Sequence, residues 1–284
     1  MGLARDLVRR LSLQKLPPRV AVVRLAGVIG PLAPLRHGLN LANLQRTLER
    51  AFALPRLSAV ALALNSPGGS AAQSALIARR IRALAEEKSV PVMAFVEDVA
   101  ASGGYWIACA ADEIVVDENS IVGSIGVIYS GFGFADAIGN LGVERRLHAQ
   151  GEKKILLDPF RPEAPEDLAR LARLQGEIHD NFKAFVRARR GGKLKIDEAE
   201  LFSGEVWSGR RAVEGGLADG LGELNSTLKE RFGPHVELKR IGPSRGWLRQ
   251  RLGLGPGPDG GAGLLVEEAL AGLAARALWT RYGL

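Results

Sequence analysis

Ser102 lies in Ala101-Ser102-Gly103-Gly104-Tyr105, between an apolar run and an Ala-rich segment. The run, Val90 to Val96, reads as a buried strand, and the segment up to Ala111 suits a helix. A serine at a strand-to-helix turn presents its hydroxyl outward, beside the first helical N–H groups, which have no intrahelical acceptor. The two glycines after it let backbone and substrate approach with no Cβ between them. Such a place suits attack on a carbonyl and retention of the resulting oxyanion. Serine is also a preferred helix N-cap, and for an isolated Ser-Gly-Gly that structural reading is the commoner one. A second glycine turn, Asn65-Ser66-Pro67-Gly68-Gly69-Ser70, lets a backbone N–H point at a carbonyl oxygen. Ser66 and Ser70 there read as partners for turn and helix N–H groups.

The elements that must hold these turns follow from periodicity. Pro17-Pro18 ends an N-terminal arm, and Arg19 to Ile29 reads as a Val/Ile-rich strand. Asn40 to Phe52 has the spacing of an amphipathic helix, Leu57 to Leu64 is a buried strand, and Ala71 to Lys88 is a helix. The strand–turn–helix pattern recurs around Ser102 and, more loosely, over Glu113–Gly126–Asn140, which indicates an α/β protein. Glu144–Leu147 reads as a short strand, and the polar loop His148 to Lys154 follows it. Pro162 to Arg190 is helical, with Leu168, Leu171, Leu174, Ile178, Phe182 and Phe185 on one face suited to core or subunit packing. Short helices are expected near Asp197–Phe202, Gly209–Gly215 and Ser226–Phe232. The expected organisation is an amphipathic arm (1–18), a main domain (19–241), a flexible Gly/Pro linker (242–263) and a C-terminal amphipathic helix (264–284).

Composition narrows the function classes. The 284 residues are 46% hydrophobic and 24% charged, enough for a sizeable core in a globular protein. The lone Cys109 excludes an intrachain disulfide framework, and no Cys/His cluster has zinc spacing, so neither metal nor cofactor is expected. Cys109 reads as a small core residue. The formal charge is +7, but the arginines are dispersed and no nucleic-acid reader motif accompanies them. No apolar run is long enough to span a membrane. The segment Met1 to Leu16 is basic and amphipathic and lacks the features of a signal peptide, which leads to an expected place in the cytoplasm or at a membrane periphery. That arm suits either a membrane surface or a docked helix.

Asn65-Ser66-Pro67-Gly68-Gly69, Ala101-Ser102-Gly103-Gly104-Tyr105 and Gly123-Ser124-Ile125-Gly126-Val127, in this order, resemble the SppA-type signal peptide peptidases. Those are Ser-Lys serine peptidases of the ClpP/crotonase fold, and the resemblance covers roughly Val20 to Leu224. It implies Ser102 as nucleophile and Lys154, in Gln150-Gly151-Glu152-Lys153-Lys154-Ile155, as general base, with Lys153 as the competing assignment. It further implies oxyanion donors in the N–H groups of Gly69 and Gly103, and Ser124 as the residue that orients the lysine amine. Physically, a serine hydroxyl needs a neighbouring base. A lysine serves as one only after burial lowers its affinity for the proton, by up to about 3–5 pKa units from about 10.4.

The resemblance also implies a peptide substrate such as a signal-peptide remnant, and a ring-like homo-oligomer with sites shared between subunits. Better-known members carry an N-terminal transmembrane helix, which is not found here. No histidine lies between Ser102 and Leu147, so a Ser-His-Asp triad would have to use His148, which reads as a loop residue. Glu97, Asp98 and Asp112 read as orienting backbone rather than as acids. Two alternatives remain at this level. One is a crotonase-type acyl-CoA enzyme, which needs the oxyanion N–H groups but neither Ser102 nor Lys154. The other is a catalytically idle scaffold at a membrane surface.

Overall fold

The computed structural model describes residues 16–30, 38–151, 153–242, 272–273 and 275–284. The N-terminal arm and most of the Gly/Pro linker lie outside the described residues, as does part of the C-terminal helix, of which 275–280 are helical.

Three buried parallel strands form the centre: β1 (Arg19–Ala26), β2 (Leu57–Ser66) and β3 (Val92–Ala101). Their apolar runs are nearly continuous because both sheet faces are covered. Successive residues still divide by period two. Ala21, Val23, Val60, Leu62, Val92 and Ala94 join the larger core, whereas Val20, Val22, Ala59, Ala61, Met93 and Phe95 face the smaller one. Helices α1 (Leu41–Phe52), α2 (Ala71–Lys88) and α3 (Gly103–Ala108) supply the larger core. Asn40 caps α1 by accepting from Asn43 N–H at 2.9 Å, and Ser70 caps α2 by accepting from Gln73 N–H at 3.3 Å.

Beyond β3, the sheet takes β4 (Glu113–Val116) and β5 (Ile121–Gly123), both parallel to it. A small helix α4 (Ala135–Asn140) then precedes the long α5 (Pro165–Arg190). The remaining elements are α6 (Glu198–Leu201), β6 (Val206–Ser208), α7 (Gly209–Glu214), β7 (Gly220–Leu221), α8 (Leu224–Phe232) and β8 (Glu237–Arg240). The main path through the sheet is β6-β5-β3-β2-β1-β8, with β4 bridging β3 to β7 and only β5–β6 antiparallel.

Several boundaries depart from the sequence reading. The strand expected over Glu144–Leu147 is exposed coil, because no strand among the described residues takes up its backbone N–H and C=O groups. The first strand ends at Ala26 rather than Ile29, and the loose third unit contains two short strands before its helix. The Ala-rich segment after Ser102 yields only a six-residue helix. Strand β8 was not expected; it is a short polar edge strand fixed to β1 by the Arg19–Glu237 ion pair at 2.8 Å.

The apolar face of α5 meets the core only near its end. Phe182 stacks on Trp106 at 4.4 Å, and Val186 is buried, while Leu168 and Leu174 stay exposed. Arg190, the last residue of α5, is fully buried and pairs with Asp219 at 2.6 Å while donating to Gly216 O at 2.7 Å. Tyr105 OH, on α3, donates to Leu217 O alongside, at 2.9 Å. This network braces the helix that follows Ser102. Burial pushes the Asp219 carboxyl up, but hydrogen bonds from Arg190 and Lys193 outweigh it and hold the group below its ordinary range. The stabilisation is therefore complete above the unfolded carboxyl's value of about 3.9 and is lost as pH falls through the lowered folded value. Arg190→Ala is expected to cost about 2–3 kcal/mol in urea denaturation, since it empties a buried site and leaves Gly216 O without its donor, while Asp219 keeps Lys193 and the Ile114 N–H.

Candidate active site

Strands β3 and β5 are neighbours and end in register, Ala101 opposite Gly123. Ser102 and Ser124, the next residues, therefore leave the sheet side by side. Ser102 N–H donates to Gly123 O at 2.8 Å, and Ser102 C=O accepts from Trp106 N–H at 3.0 Å. Both serines have positive φ, 52° and 51°. That conformation is costly for a residue with a Cβ and is typical of a strained nucleophile turn. Ser102 occupies the N-cap position of α3, yet its side chain makes no capping hydrogen bond. From Val99 to Ala111 it alone is not buried. The hydroxyl is thus displayed and not consumed by the helix, which decides against the capping role.

The glycine turn after β2 packs directly against this serine. A Cβ built on Gly68 would stand 2.8 Å from Ser102 Cβ and 3.0 Å from Gly103 N, and Gly68 has φ +102°. Only glycine meets both demands. The turn is pinned by Ile29 N–H donating to Gly68 O and Ser70 N–H donating to Ile29 O, both at 2.8 Å. Gly68 N–H donates to Ser66 Oγ at 3.2 Å. Among the described residues the N–H groups of Gly69 and Gly103 donate to nothing, and Gly103 opens α3. Gly103 follows Ser102 directly, and Gly69 follows the Gly68 that packs against it. If the Gly69 N–H serves as an oxyanion donor, Gly68→Ala displaces it and is expected to lower kcat by about 10²-fold, the lower end of the loss of one such donor. Peptide-hydrolysis kinetics check this.

The lysine loop behaves differently. Lys153 and Lys154 are exposed, and the loop is tied to the start of α5 by Arg170 donating to Lys153 O at 3.3 Å and Leu157 N–H donating to Asp167 at 3.4 Å. Among the described residues no side-chain hydrogen bond links Lys153 or Lys154 to Ser102 or Ser124. One chain therefore brings together Ser102, Ser124, Gly69 and Gly103, but not the lysine.

Residues set aside in the sequence have structural work. Asp112 accepts from Val92 N–H at 2.9 Å and pairs with Arg82 at 2.7 Å; Glu97 pairs with Arg24 at 2.7 Å. Burial pushes the Cys109 thiol up to about 12, so it is no rival nucleophile. His148 is an exposed loop residue. The sequence reading missed His179 on α5, whose Nε2 lies 3.0 Å from Ile125 O and ties that helix to the residue after Ser124. Its only signal was a polar residue beside Ile178 on an apolar face.

No group of three or more His, Cys, Asp or Glu among the described residues stands where it could hold a metal ion. A cavity of about 1060 Å³ opens along β3 and is lined by Arg24, Phe95, Glu97, Asp98 and Leu238, among others. Neither Ser102 nor Lys154 lines it, so the displayed hydroxyl, not the cavity, marks the candidate site.

The model of Peptidase family S49 matches residues 84–233. A Na(+)/H(+) antiporter NhaA of Brucella abortus is 47% identical over 100% of this chain, which spans 39% of that protein. The "Serine protease SPPA, chloroplastic" of Arabidopsis thaliana is 31% identical over 74% of this chain and 31% of its own length. The chain thus spans less than two fifths of either relative. Among solved structures, a mutant of the 1510-N membrane-bound stomatin-specific protease in complex with a substrate peptide superposes with a TM-score of 0.51. It is 16% identical and covers 84% of this chain and 99% of its own, which shows a common α/β, ClpP-like fold. No helix among the described residues is long and apolar enough to cross a membrane.

Proposed function

The chain belongs to Peptidase family S49, and from that premise we propose that it is a serine peptidase acting through Ser102 and a lysine lent by a neighbouring protomer. The observation that carries the reading is the displayed, uncapped Ser102 hydroxyl beside the Gly69 and Gly103 N–H groups. In the proposed step Ser102 Oγ attacks the peptide carbonyl while the free amine of Lys154 takes the hydroxyl proton. The oxyanion is held by the two N–H groups. Lys154 then passes the proton to the departing amine, which leaves an ester on Ser102. Water, deprotonated by the same amine, cleaves that ester and restores the hydroxyl. Ser124, beside Ser102 at the end of β5, orients the amine.

The shared site has its own support. Lys154 is exposed in the single chain, and the segment that carries it is rich in exposed apolar side chains, including Phe132, Leu141, Val143 and Leu174. Covering that surface with a second copy would bury the lysine, and burial favours its uncharged form. The substrates proposed are extended apolar peptides of the signal-remnant kind. The antiporter name belongs to a protein of which this chain matches 39%. The test offers the full chain internally quenched apolar peptides and, separately, acyl-CoA thioesters. Peptide cleavage is expected; release of CoA without peptide cleavage would favour a crotonase-type enzyme and overturn the reading.

A further inference from the structure

Strand β3 changes partners partway along. Over Met93–Val96 it pairs with β4, and over Val99–Ala101 with β5. Its register against β2 jumps at the same place. Leu64 faces Val96 and Ser66 faces Ala100, so Glu97, Asp98 and Val99 stand opposite Asn65 alone. The surplus residues turn a corner, and that corner sets the direction in which the strand delivers Ser102.

A corner inside a sheet strips backbone groups of their ladder partners, and here two hidden polar side chains replace them. Asn65, 9% exposed, accepts from Val99 N–H at 3.3 Å and donates through Nδ2 to Asp98 Oδ2 at 2.5 Å. Ser120, 1% exposed, reaches in from the other side with its hydroxyl, 2.6 Å from Glu97 O and 3.2 Å from Val96 O. Its oxygen also accepts from Asp117 N–H at 3.0 Å. Glu97 and Asp98 are the two residues that β4 has released and β5 has not yet taken up, and the bonds to β3 fall on them and on Val96 and Val99 at either side.

We propose that Asn65, Asp98 and Ser120 clamp the β3 corner and act as positioning residues for Ser102. The proposal rests on the reading of Ser102 as nucleophile. The lever arm gives the reason a clamp is needed. At about 3.3 Å per residue, the four steps from Asp98 to Ser102 span about 13 Å. A rotation of about 5° at the corner then swings the hydroxyl by about 1 Å, a misplacement that costs about 10²-fold in rate. Asn65 thereby gives the Asn65 to Gly69 motif a second duty, since its glycines face the nucleophile and its asparagine aims it.

The test reverses the polarity of one bond. Asn65→Asp keeps the shape but sets two carboxylates against each other. It is expected to lower kcat for an internally quenched peptide by about 10–10²-fold, with the rate of fluorophosphonate labelling falling in step and KM little changed. Adding Asp98→Asn restores a donor–acceptor pair with the roles exchanged, and kcat should return to within about threefold. Asp98→Ala, at an exposed position, removes the acceptor without introducing a charge and should lower kcat by about tenfold should the first variant fail to fold. Folded Asn65→Asp or Asp98→Ala protein with wild-type kcat would overturn the clamp, as would a double variant no faster than Asn65→Asp. Ser102→Ala, measured alongside, separates the layers. If it is dead while Asn65→Asp is unaffected, the clamp alone is lost; if it is fully active, the reading beneath the clamp is lost as well.

Discussion

Ser102→Ala is expected to lower peptide hydrolysis by roughly 10⁴–10⁶-fold, the range set by losing the nucleophile of a serine hydrolase, while the melting temperature stays near that of the wild type. The size of the loss follows from chemistry: no acyl-enzyme forms without Oγ, and the donors at Gly69 and Gly103 are left to stabilise an attack by water. The stability follows from the environment. The Ser102 hydroxyl makes no capping bond, and its backbone bonds to Gly123 and Trp106 do not involve the side chain. Removing the oxygen of a partly buried side chain with no capping role leaves the packing of Tyr105, Trp106 and Phe182 as it was. Parallel measurement of turnover and thermal unfolding checks both halves.

The second large effect is at Lys154. Lys154→Ala and Lys154→Arg should both be inactive, on the order of 10³-fold or more below wild type, because a guanidinium stays charged and cannot accept the Ser102 proton. An active Lys154→Ala beside an inactive Lys153→Ala would move the base by one residue. Complementation tests where the lysine comes from. Subunits of Ser102→Ala and Lys154→Ala, mixed so that they exchange, should recover part of the activity, because a Ser102→Ala subunit can lend its lysine to an intact serine next door. Verified mixed oligomers with no recovered activity would return the dyad to a single chain.

How far the sequence carried these conclusions depends on the range of the interactions involved. Helix α2 is read to the residue because Ser70 caps it and local periodicity fills it. The strand-to-helix turn at Ser102 is legible for the same reason, since its glycines and the flanking runs are contiguous. The corner in β3 is not. Glu97 and Asp98 look like the end of a strand, and only the distant Asn65 and Ser120 allow the strand to continue through them to Ala101. Strand β8 escaped notice because an edge strand of four mostly charged residues has no apolar signature; Glu237 meets its partner Arg19 across 218 positions. The Glu144–Leu147 strand failed in the opposite sense. Its composition permits a strand, but among the described residues no strand pairs with it. In α5 the apolar face was visible, yet only its end meets the core of the same chain, and the exposed remainder, Leu168 and Leu174, is part of the surface assigned here to a second copy.

The most direct test of the central claim is covalent labelling of the 284-residue chain with a fluorophosphonate, followed by mass-spectrometric mapping of the modified residue. A displayed, activated serine should carry the phosphonyl group at Ser102 alone, and Lys154→Ala should label far more slowly. Protein that cleaves peptides but remains unlabelled, or that is labelled at a serine other than Ser102, would contradict the account.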